Sequence, residues 1–322
     1  MTNNMGKFIF DPLTGVPTIL ATNRAKRPDQ TGAVASIKPT TEDEAARKAA
    51  AEEQRKYIFC KGNEHLTPPA VYQDADDWNV RVFPNKFPLL EDHEIFVHSP
   101  DPEKDIAEFD CEQNVRLIRA YLNRIQYYTS QEKEVIIFNN RGGKAGASIS
   151  HPHSQLVAAK GFPGDVARKK TNALKYFNEK ESCYWCDEIQ KLIRTKERLV
   201  YESAHFVIYV PMACRWSYQM YLVPKEHRPN FEYISEVEIQ DLAKVLKASL
   251  KTYDILFDRP DRNFWIHSTM YEPFHWHIGF LPHIKVFGAL ELGSGIWVSD
   301  KATPEYAAKE LGEVFREICE KE

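Results

Sequence analysis

A His-Pro-His-Ser-Gln pentapeptide contains the residue types in this sequence that are best suited to chemistry. Its His151, His153 and Gln155 are spaced two apart. On an extended chain their side chains therefore share one side, and the two imidazoles are close neighbours. A neutral imidazole can attack phosphorus, and the amide of Gln155 can donate a hydrogen bond to a phosphoryl oxygen. The spacing indicates nucleophilic chemistry on a phosphate, with structural or surface histidines as the alternative interpretation.

The residues before this pentapeptide predict a strand followed by a phosphate-binding turn. Residues 135–138 are apolar and predict a strand, and residues 139–150 are rich in glycine. Glycine lets the backbone approach a phosphate closely, and successive N–H groups can point at the phosphate. The apolar residues 156–159 continue the chain after the pentapeptide. The elements that must position the histidines are therefore two strands and the turn between them.

This segment also resembles a known active-site signature. Residues 140–155 are similar to the signature of the galactose-1-phosphate uridylyltransferase family, within the histidine-triad superfamily. The pentapeptide ends in Gln where the hydrolases of that superfamily carry a third His, so the resemblance implies nucleotidyl transfer rather than hydrolysis. It implies that His153 is the nucleophile and that the transferred phosphate is contacted by Gln155, Ser148, Asn140, Gly142 and Gly146.

Length, charge and composition agree with an ordinary globular enzyme. The chain has 322 residues, of which 43% are hydrophobic, and a net charge of −4, which gives no reason to expect a nucleic-acid or membrane partner. It shows no apolar run of membrane-spanning length and no apolar signal region, so a cytoplasmic location is expected. Six cysteines are too few for a disulfide framework at this length.

The resemblance extends to two segments near the N-terminus. Residues 7–23 predict a hairpin, and the cationic cluster after it resembles a segment whose arginines contact nucleotide phosphates, which implies that role for Arg24 and Arg27. Residues 80–88 resemble a stretch that lines the nucleoside pocket, which implies Asn85 and Phe87 there. A buried Phe and a turn Asn are an equally good interpretation of that stretch.

One structural zinc site of the family is incomplete in this sequence. Of its four ligands only Cys60 and His151 remain, because Tyr57 replaces a Cys and Ser-Pro-Asp-Pro at 99–102 lacks the His. Two ligands do not make a structural zinc site. We therefore expect no metal here, with packing of Tyr57 in its place. No spacing favours the nearby histidines as substitute ligands, His93 and His98.

The second half repeats the Cys and His pattern of the first half. The interval from Cys60 to His153 is nearly equal to that from Cys186 to His277, which indicates an internal duplication. Two thiolates and two imidazoles suit tetrahedral zinc, and relatives with Cys-x-x-Cys at this point carry zinc. The resemblance implies a structural zinc on Cys183, Cys186, His227 and His275. The alternatives are His277 in place of His275, buried free cysteines, or a redox pair.

A second glycine-rich segment lies near the C-terminus. Glu-Leu-Gly-Ser-Gly at 291–295 resembles a family loop that cradles the acceptor or sugar phosphate, which implies contacts from Lys285, Glu291, Gly293 and Gly295. A plain turn between strands is the rival interpretation. Since the second half lacks both the glycine-rich lead-in and the Gln, we expect it to be catalytically silent.

The predicted fold is α+β, with two tandem histidine-triad-like domains at residues 1–175 and 176–322. Each is expected to be an antiparallel sheet flanked by helices. Periodicity predicts helices at 104–129 and about 234–257, composition predicts one at 162–182, and Thr303 followed by Pro304 predicts the start of the last helix.

The resemblance implies a ping-pong nucleotidyltransferase. His153 would attack the α-phosphorus of a nucleoside diphosphate sugar, and a phosphate or sugar phosphate would then take the nucleotide. No cofactor is implied for the chemistry. UDP-glucose–hexose-1-phosphate uridylyltransferase is the main hypothesis. The alternatives are an ADP-glucose phosphorylase or adenylyltransferase type of enzyme and a degenerate nucleotide-binding module. The sequence leaves the base, the sugar and a homodimer open.

Overall fold

The computed structural model describes residues 6–21, 24 and 58–321. The predictions for Arg27 and for Tyr57 lie outside the described residues. Within them the fold is α+β, as predicted, with a two-stranded hairpin and a ten-stranded antiparallel sheet. None of the helices in the described ranges combines the length and apolar character needed to cross a bilayer.

The strands follow the apolar and alternating runs of the sequence. The hairpin consists of β1 (Lys7–Phe10) and β2 (Pro17–Leu20). The large sheet contains, in chain order, β3 (Tyr72–Gln73), β4 (Arg81–Pro84), β5 (Asp92–Val97), β6 (Glu134–Arg141), β7 (His153–Ala159), β8 (Leu199–Glu202), β9 (Phe206–Tyr209), β10 (Met220–Pro224), β11 (Arg262–Ser268) and β12 (His277–Pro282). Its spatial order is β3-β4-β5-β7-β6-β11-β12-β10-β9-β8.

This order is the same on both sides of a central seam. β6 pairs with β11 at the seam, and outward from it β7, β5, β4 and β3 correspond to β12, β10, β9 and β8. The matching order agrees with the predicted duplication. The two expected sheets are joined into one because the edge strands of the halves pair along their full length, which satisfies their backbone hydrogen bonds. The proposed domain boundary after residue 175 falls inside a helix and stays a prediction.

Six α-helices are described: α1 (Cys111–Thr129), α2 (Asp165–Lys180), α3 (Tyr184–Thr195), α4 (Glu236–Leu256), α5 (Ala289–Ser294) and α6 (Pro304–Lys321). The predicted long helices are confirmed with shifted ends. α1 begins only after Asp110, whose carboxylate accepts a hydrogen bond from the N–H of Gln113 at 2.7 Å. Thr303 caps α6 as predicted, because its hydroxyl accepts a hydrogen bond from the N–H of Tyr306.

Helices α1, α4 and α6 cover one face of the sheet, and a single core cluster under them includes residues of both halves. Side chains alternate along a strand, so on β7 Ser154 and Leu156 face this helical layer. Leu156 is fully buried in the core, and the hydroxyl of Ser154 lies 2.7 Å from that of Tyr121 on α1. His153 and Gln155 therefore face the opposite side of the sheet, which leaves room for a site.

A buried charge network also joins the halves at the seam. Arg141 and Arg262 lie opposite each other on β6 and β11, where like charges would repel. Asp105 and Asp254 lie between them, with Asp105 at 3.0 Å from both guanidinium groups. Each buried charge thus has an opposite partner, which offsets much of its desolvation cost.

Candidate active site

The first half carries a cavity on the sheet face that the helices α1, α4 and α6 leave open. We call it the His153 cavity. The glycine-rich connection between β6 and β7, the loop after β4 and the 3-10 segment near residue 66 surround it. Its lining contains six of the predicted site residues, namely Arg24, Asn85, Phe87, Ser148, His153 and Gln155. The structure therefore brings together residues that are up to 131 positions apart in the sequence.

His153 is held as a neutral imidazole with one nitrogen free to react. Its Nδ1 lies 2.8 Å from the carbonyl oxygen of His151, and since a carbonyl can only accept, Nδ1 carries the proton. Nε2 therefore keeps its lone pair. Burial lowers the pKa of His153 to about 4, so the ring is uncharged at neutral pH. The ring of Phe59 packs edge-on against it with centroids 5.4 Å apart. This is the state that a nucleophilic imidazole requires.

A second buried histidine fixes the amide of Gln155. Nδ1 of His93 accepts a hydrogen bond from the N–H of Leu89 at 2.8 Å, so the proton of His93 is on Nε2. That nitrogen lies 3.0 Å from Oε1 of Gln155 and donates to it. The side-chain oxygen of Gln155 is thereby occupied, and its NH2 group is the part left to act as a donor. Burial lowers the pKa of His93 to about 3, which keeps the ring neutral.

No sequence pattern indicated a function for His93, and no spacing favoured it as a zinc ligand. His93 lies 62 positions before Gln155, and the contact follows only once β5 is placed beside β7 with Ile95 opposite Gln155. No local spacing in the sequence predicts this strand register. The other histidine of that segment, His98, bonds the hydroxyl of Ser154 at 2.8 Å on the helical side of the sheet.

The loop after β4 is fixed by the residues that were assigned to the nucleoside pocket. Oδ1 of Asn85 accepts a hydrogen bond from the N–H of Phe87 at 2.8 Å, and Nη1 of Arg24 donates to the carbonyl of Phe87 at 2.7 Å. Arg24 thus brings a positive charge to the cavity, and this charge also contributes to the lowered pKa of His93. Asn85, Phe87 and Arg24 all line the cavity, as expected for a nucleotide site.

The glycine-rich turn differs from the predicted phosphate cradle. Gly142 has a φ of +86°, and a Cβ there would lie 1.9 Å from Oδ1 of Asp261, which comes from the second half. The N–H of Lys144 donates to that same carboxylate at 2.6 Å, and the N–H of Gly146 donates to a carbonyl inside the turn. These two backbone donors of the turn are therefore used within the protein.

As a consequence, part of the turn faces a neighbouring cavity. Asn140 and Gly142 line a separate space beside His151, and neither they nor Gly146 line the His153 cavity. Only Ser148 and Ile149 of the turn reach that cavity. The sequence could not reveal this arrangement because Asp261 lies more than 100 residues after the turn.

The predicted sugar-phosphate residues lie in the second half, outside the lining of the His153 cavity. Nζ of Lys285 lies 3.3 Å from both Glu291 and Asp300. The expected loop is instead the helix α5, in which the carboxylate of Glu291 accepts a hydrogen bond from the N–H of Gly288. Gly295 ends this helix with a φ of +69°, a common position for glycine. Gly293 lies within the helix and has open space around it.

The second half brings four potential metal ligands together. One ligand atom from each of Cys183, Cys186, His227 and His275 lies within 4.8 Å of the other three. Nε2 of His275 donates to the carbonyl of Pro224 and Nε2 of His227 to that of Glu272, at 2.9 and 3.0 Å. Both histidines therefore offer Nδ1 to the cluster. Carbonyl partners of this kind commonly orient metal-bound imidazoles.

The first half has only a remnant of this arrangement in the described part of the chain. Sγ of Cys60 lies 3.5 Å from Nδ1 of His151, whose Nε2 donates to the carbonyl of Ser99 at 2.9 Å. Across the described ranges, the second-half cluster is the one group of three or more such side chains that could hold a metal ion.

His277 occupies the position in the second half that corresponds to His153. Its Nδ1 donates to the carbonyl of His275 at 3.0 Å, but its Nε2 accepts a hydrogen bond from Nζ of Lys169 at 2.7 Å. Two residues later Gly279 stands in place of Gln155. A Cβ at Gly279 would lie 2.5 Å from the ring of Trp265. His277 is thus neither free to react nor part of the metal cluster, and of the two candidate ligands the structure places His275 in the cluster.

Family models match both halves of the chain. The model described as "Galactose-1-phosphate uridyl transferase, N-terminal domain" matches residues 92–163, and the one described as "Galactose-1-phosphate uridyl transferase, C-terminal domain" matches residues 169–286. These matches include the pentapeptide and all four residues of the metal cluster.

Individual relatives cover most of the chain as well. An ADP-glucose phosphorylase from Arabidopsis thaliana is 25% identical over 94% of this chain and 92% of its own length. A galactose-1-phosphate uridylyltransferase from Thermotoga maritima is 30% identical over 70% of this chain and 74% of its own length. In fold, the chain is similar to the Arabidopsis phosphorylase crystallised with bound ADP-glucose, with a TM-score of 0.73, 24% identity, and coverage of 96% of this chain and 99% of that one. A uridylyltransferase structure gives a TM-score of 0.77 at 20% identity, with coverage of 97% and 99%.

Proposed function

This chain belongs to the galactose-1-phosphate uridylyltransferase family of nucleotidyltransferases, and from that premise we propose that it transfers a nucleoside monophosphate through His153. The donor is a nucleoside diphosphate sugar, and the acceptor is a sugar 1-phosphate or inorganic phosphate. The observation that carries the proposal is the pairing of a neutral His153, with Nε2 unprotonated, and a Gln155 whose oxygen is held by His93.

The first half-reaction moves the nucleotide to the protein. The lone pair of His153 Nε2 forms a bond to the α-phosphorus, and the bond from that phosphorus to the bridging oxygen breaks. The sugar 1-phosphate leaves with this electron pair. Because the ring enters the reaction neutral, the phosphorylated imidazole carries one positive charge, which makes it a good leaving group in the second step.

The second half-reaction is the reverse attack by the acceptor. A phosphate oxygen bonds to the same phosphorus, the N–P bond breaks, and the pair returns to Nε2. In both steps the amide NH2 of Gln155, the hydroxyl of Ser148 and the charge of Arg24 are in place to stabilise the negative oxygens on phosphorus. Fixed donors of this kind commonly supply a large share of a rate enhancement.

Two substrate assignments follow from the relatives. UDP-glucose–hexose-1-phosphate uridylyltransferase is the main proposal, because the family models and the 30%-identical relative carry that description. ADP-glucose phosphorylase is the second, because the relative that covers 94% of the chain has that name.

For the metal cluster we propose a structural zinc ion. The donor set of two thiolates and two imidazoles matches the usual four-coordinate structural zinc site, and both histidines are already oriented by carbonyl partners. A hydrogen bond from Cys186 lowers the pKa of Cys183, which favours the thiolate that a metal binds. Bound zinc would cross-link α3 to the segment after β10 and to the segment before β12, with no part in phosphoryl transfer.

The test is intact mass spectrometry after incubation with UDP-glucose, and separately with ADP-glucose, in the absence of acceptor. An acid-labile UMP adduct that is lost in His153→Ala supports the uridylyltransferase, and an AMP adduct supports the phosphorylase. Binding of either nucleotide sugar without an adduct would overturn the proposal in favour of a nucleotide-binding module.

A further inference from the structure

The second half contains its own cavity, at the place that corresponds to the His153 cavity. We call it the Lys169 cavity. It lies between α2, α3 and the strands β9 and β10, and its volume is about 380 Å³, within the range of ligand pockets. Its mouth is open to solvent, since Met212 and Tyr184 on its rim are 66% and 43% exposed.

The register of the sheet shows that the two cavities are equivalent. In the first half, the row that crosses β7, β5 and β4 two residues after His153 contains three residues that line the His153 cavity, namely Gln155, Ile95 and Phe83. The row at the same place in the second half contains Gly279, Tyr221 and Tyr209. Both tyrosines line the Lys169 cavity.

The residues that precede Cys60 and Cys186, the corresponding cysteines of the two halves, extend this match. Phe59 precedes Cys60 and lines the first cavity, and Trp185 precedes Cys186 and lines the second. Phe59 packs edge-on against His153, and Trp185 stacks on His277 with centroids 5.6 Å apart. The duplication has therefore preserved a pocket and not only a fold.

The chemistry of the second cavity is different from that of the first. Five of the residues that line it are aromatic, including Trp185, Tyr209 and Tyr221, and the acidic residue in its lining, Glu188, is paired with Arg198. One amine, that of Lys169, enters this aromatic space, 5.0 Å from the centre of the Tyr221 ring and 2.7 Å from Nε2 of His277. Such a space fits a planar ring, and the amine fits an anion attached to it.

The amine has no carboxylate to neutralise it. Among the described residues no carboxylate oxygen lies within 4.0 Å of the Lys169 amine. Asp165, the acid whose charge acts on it most, is already paired with Arg168 and Arg215. Burial lowers the pKa of Lys169 to about 7, and an anion placed beside it would restore the charged form. Among the described residues the buried amine thus lacks an anionic partner, and a bound anion would supply one.

We propose that the Lys169 cavity is a second, non-covalent site for a nucleoside 5′-monophosphate, with the base among the aromatic rings and the phosphate at Lys169. No covalent step occurs there, because the lone pair of His277 Nε2 is occupied by the lysine. The choice of a nucleotide, rather than another aromatic anion, rests on the proposed function. The cavity, its aromatic rings and its amine are features of the structure that do not depend on the proposed function.

The test measures how many equivalents of UMP, and separately of AMP, the full-length protein binds in equilibrium dialysis. We expect two equivalents of at least one nucleotide with the native chain and one with Lys169→Met, which removes the amine and keeps the chain length. Lys175→Met is the matched control, since it makes the same change at an exposed position of the same helix, and it should keep two.

A second variant guards against misfolding of Lys169→Met. Met212→Trp enlarges an exposed residue at the mouth and leaves the interior unchanged, and it should also reduce binding to one equivalent. At most one equivalent of either nucleotide with the native chain, or two equivalents retained in both variants, would overturn the proposal. Adduct formation at His153 from a nucleotide sugar is measured separately on the same variants. Failure of the second site is therefore distinct from failure of the proposed transferase activity.

Discussion

The two halves of this protein place a histidine at corresponding positions of the fold but surround it with different neighbours. His153 and His277 begin corresponding strands, and each donates Nδ1–H to the carbonyl two residues before it. Each is therefore neutral, buried and of the same tautomer. They differ in what lies beside Nε2, which is an open cavity with a fixed Gln155 in one half and the amine of Lys169 in the other. The fold supplies the same imidazole twice, and its neighbours leave Nε2 facing a cavity only at His153.

The metal ligands show the reverse distribution. The second half has four donors in one cluster, whereas the described part of the first half has only Cys60 beside His151. The half that lacks a free nucleophile is thus the half that could carry a structural ion. We propose that nucleotidyl transfer and metal-based stability are divided between two copies of one scaffold, and four pairs of substitutions can test this division.

The largest effect is expected from exchanging the two histidines for alanine one at a time. His153→Ala should abolish the nucleotidyl adduct and lower turnover at least about 10³-fold, the scale seen when a central catalytic group is removed. His277→Ala should leave the rate of adduct formation nearly unchanged. Single-turnover mass spectrometry measures both. A comparable loss in the two variants would show that the halves are not divided as described.

The next largest effect is expected from removing one candidate metal ligand from each half. Cys183→Ser, or a strong chelator, should lower the free energy of unfolding by about 3–4 kcal/mol, if zinc is present at 100 to 1,000 times its dissociation constant. Cys60→Ser makes the same change in the first half and should have a small effect, because it removes one member of an incomplete set. Denaturant unfolding together with metal analysis gives the comparison. Equal destabilisation by both would contradict it.

A smaller effect is expected at His93. His93→Leu removes the donor that holds Oε1 of Gln155, so the saturated rate of adduct formation should fall roughly 10- to 100-fold, at or below the scale for losing a stabilising donor outright. The dissociation constant for the nucleotide sugar should change little. His93→Gln keeps a donor and should recover part of the rate.

His98→Leu is the matched control, since it alters a histidine of similar burial that bonds Ser154 on the helical face. It should lower the melting temperature without a selective loss in the chemical step. If His93→Leu affects only the melting temperature, His93 is a structural residue and does not position Gln155.

The smallest effect tests why the second half has no glutamine. Gly279→Ala places a Cβ 2.5 Å from the Trp265 ring, so it should destabilise the protein by about 1–3 kcal/mol, the usual cost of overpacking. Gly293→Ala, which meets no atom within 4 Å, should be nearly neutral. Thermal unfolding of the pair measures the difference. An unaffected Gly279→Ala would mean that Trp265 does not exclude a side chain there.

Local patterns predicted much of the fold and of the site. Apolar periodicity located α1 and α4, the spacing of Cys and His residues indicated the repeated scaffold, and the family resemblance named the four residues that cluster. These predictions succeed because a period of two or 3.6 residues reports which side chains share a face. The functions of the glycine-rich turn and of the segment 289–295 were harder to predict. Their glycines form a tight turn and a helix end, and a glycine-rich composition does not distinguish these from a phosphate-binding loop.

The sequence by itself predicted the candidate nucleophile His153, the glutamine beside it and the candidate metal ligands, because the motifs that resemble the family contain characteristic residue types. Only the tertiary structure decided which neighbours each copy of the histidine meets. Gln155 meets His93, His277 meets Lys169, and Gly279 meets Trp265 through strand register or helix packing, between residues distant along the chain. A shift of one residue in any of these pairings would turn the side chain to the other face of the sheet. Such contacts depend on the assembled sheet and cannot be obtained from one segment at a time.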